Sequence, residues 1–194
     1  NLTDYASMII SSKDKHTLQC NLVPWASGVK VYAKTPFQTP WRTLIIADQP
    51  GDLITSNLSL NLNEPCQIED VSWIKPMKYI GIWWGMHIGK YTWYTGPKHG
   101  ATTENTKRYM DFAAKNGIGG VLVEGWNYGW ESTEYDGNYF KFTQAYPDFD
   151  LEEICKYGDS IGVKLIGHHE TYGAVKNYEN QMIEGYQLYQ KNGM

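Results

Sequence analysis

The sequence predicts an α/β protein: a partial (β/α)8 TIM barrel, its first three βα units, preceded by the end of a β-sandwich domain. Three observations carry this. Short apolar runs bounded by Pro and Gly, without helical periodicity, fill the first seventy or so residues. From Ile74 onward strand-like runs alternate with helical patterns. Every long, polar or aromatic loop in that second part leaves the C-terminal end of a strand, and no Gly-rich phosphate loop follows the first one. The expected domains are 1–51 for the end of the sandwich, 52–73 for a linker, and 74–194 for an incomplete barrel.

In the first domain the predicted strands are Ser7 to Ser12, His16 to Val23, Val29 to Ala33 and Arg42 to Ala47. Pro24, Gly28, Pro36, Pro40 and a Pro50-Gly51 turn separate them, and Trp25 and Trp41 are expected in the core or between sheets. Residues 52–73 turn polar, with Leu58, Leu60 and Leu62 alternating, which reads as an extended linker.

The barrel part opens with a strand from Tyr79 to Trp84, running into Gly85, Met86 and His87. A helix follows from Thr102 to Asn116, with Thr102 or Thr103 as N-cap, Tyr109, Phe112 and Ala113 as apolar stripe, and Gly117 as stop. The second strand, Ile118 to Val123, delivers Glu124, Gly125 and Trp126 to a loop that ends near Pro147. A loop longer than about fifteen residues without structure of its own is usually functional. The second helix, Asp150 to Ser160, starts on an Asp cap with Glu152 and Glu153 against the positive end of the dipole. The third strand, Val163 to Ile166, ends in His168, His169 and Glu170, and a third helix runs from Asn177 to Lys191. Three units cannot close a barrel, whose strands need partners on both sides, so the expectation is a piece of a longer chain.

Composition narrows the function. Net charge is −4 and charged residues make up 20%, which leaves no basic stripe for nucleic acid. Eight Trp and fifteen Tyr suit sugar binding, since a flat ring covers the apolar face of a pyranose, and they equally suit an aromatic core. Cys20, Cys66 and Cys155 lie far apart with no metal-ligand spacing. No apolar run is long enough to span a membrane, and Asn1 is not an initiator methionine, which leaves a cleaved or truncated start open.

The strongest chemical signal is the His168, His169, Glu170 strand end, three adjacent donors and acceptors on the rim where barrels place their ligands. It suits a hydroxyl-rich ligand; the alternative is one histidine bonded within the wall and Glu170 capping the next helix. Trp83, Trp84, His87 and Trp126 are candidates for stacking or hydroxyl contacts, and Glu124 could hold a loop, a sugar hydroxyl or nothing. A metal-dependent hydrolase built on His168 and His169 is disfavoured, because adjacent strand residues diverge.

The stretches SWIKPMKYIGIWWGMHIGK, GIGGVLVEGWNYGW and YPDFDLEEICKYGDSIGVKLIGHHET, with NLTDYASM and TPFQTPWR before them, resemble glycoside hydrolase family 97. The resemblance implies a β-sandwich packed on a (β/α)8 barrel and removal of terminal α-linked glucose or galactose from oligosaccharides, with α-glucosidase favoured. It further implies a Bacteroidetes-type setting, a periplasmic or secreted location, and a calcium ion in the full-length protein whose ligands lie mostly outside this sequence. Carried over residue by residue, Glu170 becomes a base carboxylate that helps activate water in inverting members, and His168 a sugar ligand, with His169 beside it. The acid carboxylate falls outside the sequence, so the chain alone is expected to be inactive. A non-catalytic carbohydrate-binding module is the competing reading.

Overall fold

A computed structural model describes residues 8–14, 17–22, 24–25, 27–39, 41–131 and 136–194. Of residues 8–20 only the backbone is described. The chain divides into two compact units, Asn1–Trp73 and Ile74–Met194.

In the first unit, β1 (Met8–Asp14) and β2 (Thr17–Leu22) form an antiparallel hairpin, with a register irregularity between Ile10 and Ser12. Ser7, His16 and Val23, which the sequence placed in these strands, and Pro40, placed between later ones, lie outside the described residues. Val29 to Ala33 and Arg42 to Ala47 form no strand, contrary to expectation. Alternating apolarity is a strand signal only where another strand supplies ladder partners, and here Leu44 and Ile46 are exposed. Trp41 is 75% exposed rather than a core residue, whereas Trp25 is half-buried, edge-on to Tyr32 at 6.1 Å.

The Pro50-Gly51 turn and the extended linker are also corrected. Pro50 opens a short helix α1 (Pro50–Thr55), where its missing N–H and fixed φ fit the first turn, and Asp52 complements the dipole. A single turn, α2 (Leu58–Asn61), follows.

The second unit is the α/β part. Strands β3 (Tyr79–Gly81), β4 (Gly120–Leu122) and β5 (Lys164–Ile166) form a parallel sheet in that order, with Tyr79 beside Gly120 and Gly120 beside Lys164. The first strand is shorter than predicted. It stops at Gly81, and Trp83–His87 winds into a short helix α3, because a run of apolar residues carries no period that separates strand from helix.

Helix α4 (Thr103–Lys115) is capped by Thr102, whose hydroxyl accepts from the Asn105 N–H, and Gly117 follows it at φ +64°. Its buried face carries Met110 and Ala113, while Phe112 points outward at 56% exposure, against the predicted stripe. Helix α5 (Leu151–Ile161) is capped by Asp150, which accepts from the Glu153 N–H, and closes on Gly162 in the left-handed region. Helix α6 (Val175–Lys191) starts two residues before its predicted boundary.

Val121 and Leu165 from the sheet, with Val163 just before β5, meet Met110 of α4 and Ile154 of α5 in one core. Each buried aliphatic side chain contributes about 1.5–3 kcal/mol, enough to fix the sheet under its helices. That fixes the three strand exits side by side on one edge.

Candidate functional site

Above that edge lies a cleft of ≈ 250 Å³. The exit of β3 supplies Trp83 and, from the following loop, Trp93; that of β4 supplies Glu124 and, from its long loop, Trp130, Asp136 and Phe140. The exit of β5 supplies His168, Glu170 and Tyr172.

Trp93 and Trp130 stack face to face, centroids 4.8 Å apart and planes within 9°, so the loops that follow β3 and β4 form a single aromatic wall. The Trp130 indole N–H donates to Asn127 Oδ1 at 3.2 Å. Helix α6 reaches back to this loop. Asn177 Nδ2 donates to the carbonyls of Gly137 and Phe140, at 2.9 and 3.1 Å, and Gln181 accepts from the Phe142 N–H at 3.1 Å. Gly137 opens a 3-10 turn (Gly137–Tyr139), and a Cβ there would stand 1.9 Å from the Thr171 carbonyl. The loop and the His168–Tyr172 segment therefore fit closely enough to exclude a methyl group.

The polar floor is built from three side chains. His168 Nε2 stands 3.9 Å from Glu124 Oε1, with side-chain exposures of 25% and 16%. Glu124 Oε2 and His168 Nδ1 are both buried without a protein hydrogen-bond partner. A buried polar atom left unpaired costs about 1–3 kcal/mol, so this floor is suited to a polar ligand. Glu170 Oε1 accepts from the Tyr172 N–H at 2.7 Å, a local bond that accompanies the left-handed backbone of Tyr172 at φ +47°. Burial, and then the charge of Glu170, push the Glu124 carboxyl above its usual range. Burial holds His168 below its usual range, against the pull of Glu170. The site thus pairs a neutral imidazole with a carboxyl that resists ionisation, beside a second carboxylate.

The structure sorts the predicted residues. Glu124, His168 and Glu170 converge. His169 does not: its ring packs among Phe142, Tyr178 and Tyr189, stacked on Tyr189 at 4.6 Å, with Nδ1 3.3 Å from the Tyr178 hydroxyl. Adjacent residues leave an extended segment on opposite sides, so placing His168 in the cleft sends His169 behind it. Trp126 is 3% exposed, in the core rather than on a sugar-facing wall. Trp84 and His87 sit on α3 outside the cleft lining, at centroid distances of 5.7 and 4.5 Å from Trp83, the α3 ring that does line it. Trp93, Trp130, Phe140 and Tyr172 were missed as individual residues, although both loops carrying the first three stood out by length or aromatic content.

Residues 83–194 match the family described as Glycoside hydrolase 97, and residues 1–65 match Glycosyl-hydrolase 97 N-terminal. The chain belongs to glycoside hydrolase family 97. Similar proteins include a solved glycoside hydrolase family 97 enzyme from Pseudoalteromonas sp. strain K8 in complex with acarbose, 54% identical with a TM-score of 0.87 over 100% of this chain and 30% of its own. A variant of it in complex with panose matches equally, with 54% identity and a TM-score of 0.87 over the same shares. A retaining alpha-galactosidase of Bacteroides thetaiotaomicron is 28% identical over 162 residues, 79% of this chain and 23% of that protein. This family 97 chain therefore spans about a quarter to a third of the length of these relatives.

Proposed function

We propose that this chain is part of an exo-acting α-glycosidase that releases terminal α-linked glucose from oligosaccharides, with α-galactosidase as the alternative specificity. The observation that carries the reading is the convergence of Glu124, His168 and Glu170 on one aromatic-walled cleft. Glucose is favoured because panose, bound by a variant of the 54% identical enzyme, is a trisaccharide of α-linked glucose. In the full-length protein the sheet β3-β4-β5 would continue into a (β/α)8 barrel behind a β-sandwich, in a periplasmic or secreted setting.

In this reading Glu170 is the base carboxylate that receives a proton from the attacking water, and Tyr172 N–H keeps it oriented. His168 and Glu124 bind a hydroxyl of the innermost sugar, and the stacked Trp93 and Trp130 wall it in. Glycoside hydrolysis needs a second carboxyl, about 6.5–9.5 Å away for inversion, to protonate the leaving oxygen; that acid is assigned to residues outside this chain. Among the described residues no group of three or more His, Cys, Asp or Glu side chains is assembled, and the calcium ion of the full-length protein would be held mostly by residues outside this chain. No described helix is long and apolar enough to cross a membrane.

The test is hydrolysis of p-nitrophenyl α-glucoside and α-galactoside by the full-length protein, with calcium present and chelated. Turnover of the glucoside that falls by orders of magnitude in Glu170→Gln supports the reading. Near-normal turnover in that variant removes Glu170 from the mechanism. Sugar binding without hydrolysis favours a carbohydrate-binding module.

A further inference from the structure

We propose that Tyr189 and Trp126 are positioning residues: together they grip the backbone carbonyl of His168 from behind the sheet edge and so set the aim of His168 and Glu170 into the cleft. The Tyr189 hydroxyl and the Trp126 indole N–H each donate to the His168 carbonyl oxygen at 3.0 Å. Both lone pairs of one oxygen are thus engaged, by side chains from α6 and from the exit of β4.

The grip falls where the sheet has stopped supporting the chain. The ladder between β4 and β5 ends at Ile166, and His168 and Glu170 lie beyond it. Three consecutive residues there fit the Tyr189 ring. At Gly167 a Cβ would come within 2.4 Å of Tyr189 Cε2, so only a residue without a side chain lets the ring lie against the backbone. At His168 the ring's hydroxyl takes the carbonyl, and at His169 the imidazole stacks on its face, 4.6 Å away and tilted by 23°. Burial keeps the Tyr189 phenol protonated well past its usual range, so it remains a donor at any working pH. Trp126, buried and bonded in this way, has its role behind the sugar rather than against it.

The kinetic half of the test rests on the glycosidase reading. In the full-length protein, Tyr189→Phe keeps the ring, its stack on His169 and its fit on Gly167, and removes only the hydroxyl. The expected result is a kcat lower by about ten-fold, with KM within about three-fold, because small misalignments at the reacting group cost rate rather than binding. A kcat within two-fold of the unaltered protein overturns the proposal. If the unaltered protein hydrolyses no α-glycoside, the functional reading falls on its own. The positioning claim is then read from the His168 ring signals by NMR: a changed shift and titration midpoint in Tyr189→Phe is expected, and superimposable spectra overturn it. Should that variant fail to fold, exchange of the Trp126 indole proton in the unaltered protein decides: slow exchange is expected, and exchange at the rate of a free indole sinks the claim.

Discussion

His168 Nε2 and Glu124 Oε1 stand 3.9 Å apart across the floor of the cleft, too far to bond each other and close enough to share one oxygen. A hydroxyl about 2.8 Å from each forms a triangle with them and needs neither to move. Glu124→Ala in the full-length protein is therefore expected to lower kcat/KM on the α-glucoside by about 10- to 100-fold, the loss of one hydrogen bond to a charged or polar partner. Steady-state kinetics check this, and an unchanged kcat/KM sets Glu124 apart from substrate.

The same carboxyl costs the empty protein stability. Burial and Glu170 raise its pKa in the folded state, so the fold prefers the neutral form. Its contribution is most favourable at low pH and is lost as pH rises through the raised value. Glu124→Gln is neutral at every pH, so it should raise Tm near neutrality by about 2–4 °C and lose that advantage below the ordinary carboxylate range. A melting series against pH measures it; a Tm gain that does not fade on acidification contradicts the assignment.

How far the sequence reached depended on whether a feature was local. The caps at Thr102 and Asp150 and the stop at Gly117 were legible because each acts within one turn. The parallel sheet was legible from alternation, but its edges were not: Trp84 reads as strand until Gly81 ends the ladder. His168 and Glu170 were legible as strand-exit residues. That Trp126 turns inward and Trp130 outward was not, since the indole of Trp126 bonds a carbonyl 42 residues away. Val29 to Ala33 shows the reverse failure, a good strand pattern whose ladder partner is absent from the described residues.

His169 should impose a pH dependence on folding. Burial, with His168 beside it, pushes its pKa down to about 4 from an ordinary value near 6.5. Between those limits the unfolded chain binds a proton that the fold refuses, so stability is full above about pH 6.5 and falls toward pH 4 by at most about 1.4 kcal/mol per pH unit. His169→Phe, which keeps a ring in the same aromatic surroundings, should flatten that part of the profile in urea melts. An unaltered slope would show that the proton uptake lies elsewhere.

Asn177 and Gln181, one turn apart on α6, hold the cleft loop by its backbone. Gln181 Nε2 donates to the Phe140 carbonyl at 3.1 Å and to Asn177 Oδ1 at 2.9 Å, while its Oε1 accepts from Phe142 N–H. Gln181→Ala is expected to cost about 1–3 kcal/mol, since it leaves the Phe142 N–H unpaired, while the Phe140 carbonyl keeps its bond from Asn177. Hydrogen exchange gives the local check: the Phe142 amide should exchange faster by at least ten-fold than in the unaltered protein, and equal protection would mean that another group replaces the bond.

Gly137 is a position where the loop and the segment from Glu170 to Tyr172 meet tightly. A methyl group there would lie 1.9 Å from the Thr171 carbonyl oxygen and 2.9 Å from the Ala174 Cβ, and the first of these is backbone that cannot swing aside. Either the 3-10 turn or the segment from Glu170 to Tyr172 must shift, and the Glu170 to Tyr172 N–H bond lies inside the part that would move. Overpacking of this kind costs about 1–3 kcal/mol. Gly137→Ala should therefore lower Tm and kcat together, whereas Gly129→Ala, whose Cβ would meet Phe140 instead, should disturb the aromatic wall and raise KM more than it lowers kcat. The two variants measured side by side separate a displaced Glu170 from a displaced wall, and identical kinetic signatures would mean that the loop moves as one piece.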